Sequence, residues 1–154
     1  MARVYVTAER VIPAPPDVVF AFLCDYQRDR PKILPANYQH YRVTAGGVGG
    51  GTGIEYVLHA GKRERPYYLD IEEQATGRTL VERDTRSSLV NTWTVESAGD
   101  GRQSRVRIAT EWQGGRDVGG FFERTFAPVG LRRIYGEMLD RLATAATSPA
   151  AGAA

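Results

Sequence analysis

The chain has one cysteine and two histidines in 154 residues. A single Cys24 excludes an internal disulfide. It closes the apolar run that begins at Val18, where a free cysteine behaves as a small hydrophobe. Cys24, His40 and His59 have no spacing that suits zinc, so neither a metal nor a cofactor is expected. No run approaches the roughly 20 apolar residues of a membrane span, which excludes integral membrane contact through a helix. The N-terminus opens on a strand pattern instead of a charged start and apolar core, so a cytoplasmic location is the expectation. Charge of one sign is missing as well. Twenty Lys and Arg face eighteen Asp and Glu, a net charge of +2, and the signs interleave as in Glu82-Arg83-Asp84. A nucleic-acid surface shows a one-signed stripe, so no nucleic-acid partner is expected.

What is present is a sequence of short alternating segments closed by one long helical pattern. Hydrophobic residues make up 42% and charged residues 25%, ordinary values for a globular domain. There is no internal repeat and no linker. One domain is expected over 1–146, with a flexible tail over 147–154 that includes SPAAGAA. Arg3 to Ile12 alternates as a first strand, stopped by Pro13, Pro15 and Pro16. Pro16 and Asp17 then suit the first turn of a helix running to about Asp25. A second short helix is read from Tyr26 to Leu34, interrupted by Pro31.

Six strands follow, near Tyr38–Ala45, Gly53–Ala60, Arg65–Gln74, Thr79–Thr85, Leu89–Ser97 and Ser104–Gln113. Their turns are short, which implies an antiparallel meander. The exception is GGVGGGTG, Gly46 to Gly53. A phosphate-cradling loop needs a helix to open directly after it. An alternating strand follows here, so the segment reads as a flexible hairpin with positive-φ positions. Arg116 to Thr144 is the long helical pattern, with Val118, Phe121, Phe122, Phe126, Val129, Ile134, Met138, Leu139 and Leu142 at three-or-four spacing. Pro128 and Gly130 predict a kink within Ala127–Gly130, beside an interior cavity that they could open or hinge.

VIPAPPDVVFAFLCDYQR, with Val19, Phe20 and Leu23, resembles the opening of START-like (SRPBCC) proteins, and GGFFERTFAPVGLRRIYGEMLDRL resembles the terminal helix of their bacterial polyketide cyclase/dehydrase branch. The likeness runs from Val4 to Leu142 and rests on scaffold motifs. It implies an α+β helix-grip fold. A seven-stranded antiparallel curved sheet wraps a long C-terminal helix, two short helices follow strand 1, and an apolar cavity lies between sheet and helix.

Strand parity nominates the residues that line that cavity. Tyr56 and Leu58, Tyr67 and Leu69, Asn91 and Trp93, and Ile108 and Trp112 face inward on successive strands, with Phe122 and Phe126 added from the helix. Thr79–Thr85 stays ambiguous, because Leu80 and Val81 compete. If Val81 points in, so does Arg83, which could stabilise an enolate or hold a carboxylate; otherwise Arg83 is an exposed partner of an acid. Asp70 and Asp84 read as solvated partners of arginines. His59 is the residue type best suited to a general base, and it faces solvent by parity.

Apolar walls with a few placed polar groups suit a small-molecule pocket. The function expected is binding or handling a hydrophobic small molecule, aromatic, lipid or polyketide-like. The alternative is a cyclase, aromatase or dehydratase in which Tyr56, Tyr67, Asn91 or Arg83 polarise carbonyls. The sequence leaves monomer and homodimer both open.

Overall fold

The computed structural model describes residues 3–60, 62–113 and 127–147. Seven strands form one antiparallel sheet: β1 (Arg3–Ile12), β2 (Tyr38–Ala45), β3 (Gly53–Ala60), β4 (Arg63–Gln74), β5 (Thr79–Asp84), β6 (Val90–Ala98) and β7 (Gln103–Gln113). Their order across the sheet is β1-β7-β6-β5-β4-β3-β2. Consecutive strands from β2 onwards therefore pair as hairpins, and β1 joins the far edge by pairing with β7. Helix α1 (Pro16–Cys24) follows β1, and helix α2 (Ala127–Ala146) packs on β1 and on the turn after α1. This is the helix-grip arrangement that the resemblance to START-like proteins implies.

The strands form where the pattern alternates, and the alternation sets their faces. Ile54, Tyr56 and Leu58 are buried on β3, Tyr67, Leu69 and Ile71 on β4, and Val106, Ile108, Thr110 and Trp112 on β7. The residues between them are half-buried or exposed, as one-sided packing requires. Helix α1 starts with Pro16 in its first turn and Asp17 beside its positive end. It buries Val19, Phe20, Phe22, Leu23 and Cys24.

Three sequence expectations change, and the open register of β5 is settled. The second short helix reduces to a single 3-10 turn, Arg30–Ile33, because Pro31 lacks the N–H that a longer helix would need. The glycine segment is not a free hairpin. Gly46, Gly49 and Gly51 adopt φ of 62°, 68° and 86°, and the loop is bonded on two sides. Gly49 N–H donates to Cys24 O at 2.9 Å and Tyr26 N–H to Gly47 O at 2.9 Å, covering the end of α1. Gly51 N–H donates to Ile71 O at 3.0 Å, tying the loop to β4. On β5, Leu80, Glu82 and Asp84 point inward, so Arg83 is exposed and lies 3.8 Å from Glu72 on the neighbouring strand. Asp84, expected in solvent, is 6% exposed; it accepts from Tyr68 N–H at 3.2 Å and from the Ser87 hydroxyl at 2.5 Å. The terminal helix is described from Ala127, so the expected kink at Ala127–Gly130 falls at its boundary and the pattern upstream of it lies outside the described residues.

Candidate functional site

A cleft between the concave face of the sheet and α2 collects side chains from nearly every element. Tyr38 and Tyr41 come from β2, Ile54 and Tyr56 from β3, Leu69 from β4, and Glu82 from β5. Asn91 and Trp93 come from β6, Ile108 from β7, Met138 from α2, and Arg30 and Leu34 from the turn region after α1. The free space among them is about 20 Å3. That volume holds about one water, so the interior is largely filled by its own side chains.

At the base of the cleft a carboxylate and a guanidinium are buried together. Glu82 and Arg30 are 3% and 4% exposed and form an ion pair. Further hydrogen bonds hold both groups. Tyr26 Oη donates to Glu82 Oε2 at 2.6 Å, while Asn91 Nδ2 and Trp93 Nε1 donate to Glu82 Oε1, each at 3.3 Å. Arg30 Nε donates to Leu23 O at 2.9 Å and Nη2 to Tyr26 Oη at 3.0 Å. The guanidinium also stacks 4.5 Å from the Tyr26 ring centre and 4.7 Å from that of Trp93. Burial, the largest single influence, lowers the Arg30 pKa; the Glu82 carboxylate together with the Tyr26 and Tyr41 hydroxyls outweighs it, and the net shift is upward. The Arg30 guanidinium therefore stays charged beside the carboxylate.

The network continues to α2. Thr110 Oγ1 donates to Asn91 Oδ1 at 2.7 Å, and the Thr110 and Tyr135 hydroxyls share a hydrogen bond. Because the Thr110 proton is committed to Asn91, Tyr135 is the donor. One directed chain thus runs Tyr135, Thr110, Asn91, Glu82, linking the C-terminal helix to the core carboxylate.

Two hydroxyls in the cleft have no such role. Tyr56 is 7% exposed and Tyr38 is half-buried, and their rings meet edge to face with centres 5.0 Å apart. Neither hydroxyl has a hydrogen-bond partner among the described residues. Burial raises both pKa values well above 10, so both remain neutral donors at any physiological pH.

Of the residues nominated from sequence, Tyr56, Leu69, Asn91, Trp93 and Ile108 line the cleft. Leu58, Tyr67 and Trp112 are buried in the core on the same face but do not border it. Phe122 and Phe126 lie outside the described residues, and Arg83 is in solvent. His59 lies outside the cleft, 3.2 Å from Glu64. Sequence reasoning missed Arg30, Glu82, Tyr26, Tyr38 and the Thr110–Tyr135 link. The signal for Glu82 was available: choosing Leu80 over Val81 as the inward residue of TLVERD puts Glu82 inside too. No group of three or more His, Cys, Asp or Glu among the described residues could hold a metal. No described helix is long and apolar enough to cross a membrane.

The sheet order, the wrapped helix and the cleft between them define a helix-grip protein of the START-like class. The chain belongs to the family described as polyketide cyclase/dehydrase and lipid transport, whose model matches residues 3–147. It is similar to the solved structure of the KanY protein, at 41% identity and a TM-score of 0.84, over 96% of this chain and 100% of that one. A protein from Thermus thermophilus matches at 19% identity and a TM-score of 0.73, over 98% of this chain and 100% of that one. The Zhui aromatase/cyclase from a Streptomyces species matches at 12% identity and a TM-score of 0.69, over 94% of each chain. The last two likenesses are of fold alone. No curated protein matches in a sequence comparison.

Proposed function

We propose that the protein binds a small, mainly apolar molecule carrying a hydrogen-bond acceptor in the cleft between sheet and α2. The observation that carries this reading is the pair of neutral hydroxyls of Tyr38 and Tyr56, which bond to no described residue and are set in a wall of Leu34, Ile54, Leu69, Ile108 and Met138. Both hydroxyls are neutral and free to donate, and the two rings lie in contact. An acceptor such as a carbonyl oxygen placed between them would satisfy both. Anything larger than a water must displace lining side chains, and Met138, with three rotatable bonds, suits that role.

Binding is favoured over turnover because Glu82, the carboxylate in the cleft, is already held by four donors. It is not a free base. The family description includes cyclase and dehydrase chemistry, and the Zhui relative is an aromatase/cyclase. In that second reading the two neutral tyrosines would polarise a carbonyl without accepting a proton.

The test is a titration of aromatic ketones followed by amide and side-chain NMR shifts. Saturable shifts clustered at Tyr38, Tyr56 and Met138, weakened about tenfold by Tyr56→Phe, are the expected result, the loss of one good hydrogen bond. Shifts that never saturate, or an affinity indifferent to both tyrosines, would overturn it.

A further inference from the structure

Sixteen arginines lie among the described residues, and all but two of them, Arg30 and Arg65, are exposed. Arg30 is paired with Glu82. Arg65 has no carboxylate partner among the described residues, and its Nε is buried without a hydrogen-bond acceptor. Alternation on β4 puts Arg65 on the inner face, in line with Tyr67, Leu69 and Ile71. It lies opposite Leu58, one inward position beyond the cross-strand pair Tyr56–Tyr67. Its guanidinium carbon is 5.6 Å from the centre of the Tyr67 ring. Arg65 is half-buried, and its guanidinium also reaches the Tyr67 hydroxyl, a neutral group. A half-buried cation with one enclosed N–H and no carboxylate partner among the described residues carries a desolvation cost that solvent and neutral neighbours offset in part. A planar acceptor with two oxygens is the group that a guanidinium fork matches best.

We infer that Arg65 is a specificity-determining residue that holds the carboxylate end of the bound molecule, so that the ligand is an elongated apolar carboxylic acid. This rests on the cleft-binding reading above. Leu69, which lines the cleft, is four residues along the same strand, roughly 13 Å away at about 3.3 Å per residue. Arg65 does not itself border the cleft, so a body that spans both places is extended and displaces the Tyr67 and Leu58 side chains between them. The two ends of the site differ in charge. The Arg30–Glu82 pair is balanced and offers no net attraction for an anion, whereas Arg65 has no carboxylate partner among the described residues. The acid end therefore points towards Arg65 and the apolar end towards the base.

The experiment compares decanoate with 1-decanol at pH 8 by isothermal titration calorimetry. It uses the wild-type chain, Arg65→Gln and Arg65→Lys, with thermal melts to establish that each variant folds. Expected is a preference of about tenfold or more for decanoate in the wild type, its loss in Arg65→Gln with decanol affinity unchanged, and partial recovery in Arg65→Lys. Decanol binding to the wild type as tightly as decanoate, or a preference that survives Arg65→Gln, would overturn the role of Arg65 and leave the cleft reading standing. Failure of both probes to bind the wild type while an aromatic ketone still binds would overturn the role of Arg65 alone, and failure of all three would overturn both.

Discussion

Arg30 and Glu82 stand 52 residues apart in the chain and form an ion pair in the centre of the core. Such a pair is sensitive to losing one member. Arg30→Met or Glu82→Leu alone leaves an uncompensated buried charge and should cost about 3–5 kcal/mol. The double substitution removes both charges and should be much less destabilising than the sum. Urea unfolding of the two single variants and the double variant measures this. Additive losses would mean that the two side chains act independently.

The tyrosines around the cleft should divide into two groups by their hydrogen bonds. Tyr26 Oη donates to a carboxylate, so Tyr26→Phe should lower stability by about 1.5–3 kcal/mol. Tyr56→Phe removes a hydroxyl that has no partner among the described residues, so it should be neutral or slightly stabilising. Thermal or chemical melts of the two variants check the order. A Tyr56→Phe variant as destabilised as Tyr26→Phe would show that its hydroxyl is satisfied in solution.

The sequence made the strands and most of their faces legible because each strand packs on one side. Period-two patterns such as Ile54-Tyr56-Leu58 and Tyr67-Leu69-Ile71 survive intact. β5 broke the pattern for a physical reason. Leu80, Val81 and Glu82 are all buried, so both faces of the strand are covered there and alternation carries no information. The ion pair was hidden more deeply. Glutamate is ordinarily an exposed residue, and its partner lies in a proline-containing turn after α1. No local spacing rule connects the two. The glycine segment misled in the opposite direction. Positive φ was rightly expected, but the bonds that pin the loop come from Cys24, Tyr26 and Ile71, each remote in sequence.

That pinning makes two glycines unequal. Gly51 has φ of 86° and open space where a Cβ would go, so Gly51→Ala should cost about 1–2 kcal/mol from backbone strain alone. Gly46 has φ of 62° and a Cβ there would lie 3.1 Å from both Gly51 O and Thr52 Cα, which are backbone atoms that cannot swing away. Gly46→Ala should therefore lose more stability than Gly51→Ala. Hydrogen exchange should show the loss spreading to the Tyr26 amide, which bonds to Gly47 O. Equal losses, with Tyr26 unchanged, would mean that the loop is not tied to α1 in solution.

Six of the eight tyrosines, Tyr26, Tyr38, Tyr41, Tyr56, Tyr67 and Tyr135, have pKa values raised above 10, in each case chiefly by burial. Cys24 is raised from 9 to about 11, first by burial and then by the nearby Glu73 carboxylate. These groups are neutral when folded and ionise more readily when unfolded, so the unfolded chain binds fewer protons above about pH 9. Stability is then full below about pH 9 and declines as pH rises through the folded values. Tyrosinate absorbance at 295 nm should consequently rise in one cooperative step that coincides with loss of the far-ultraviolet circular dichroism signal. Cys24 should resist a thiol reagent until the same step. A gradual absorbance rise beginning near pH 10 in a still-folded protein, involving most of the tyrosines, would mean that the interior admits water and hydroxide and that the cleft is far more open than its 20 Å3.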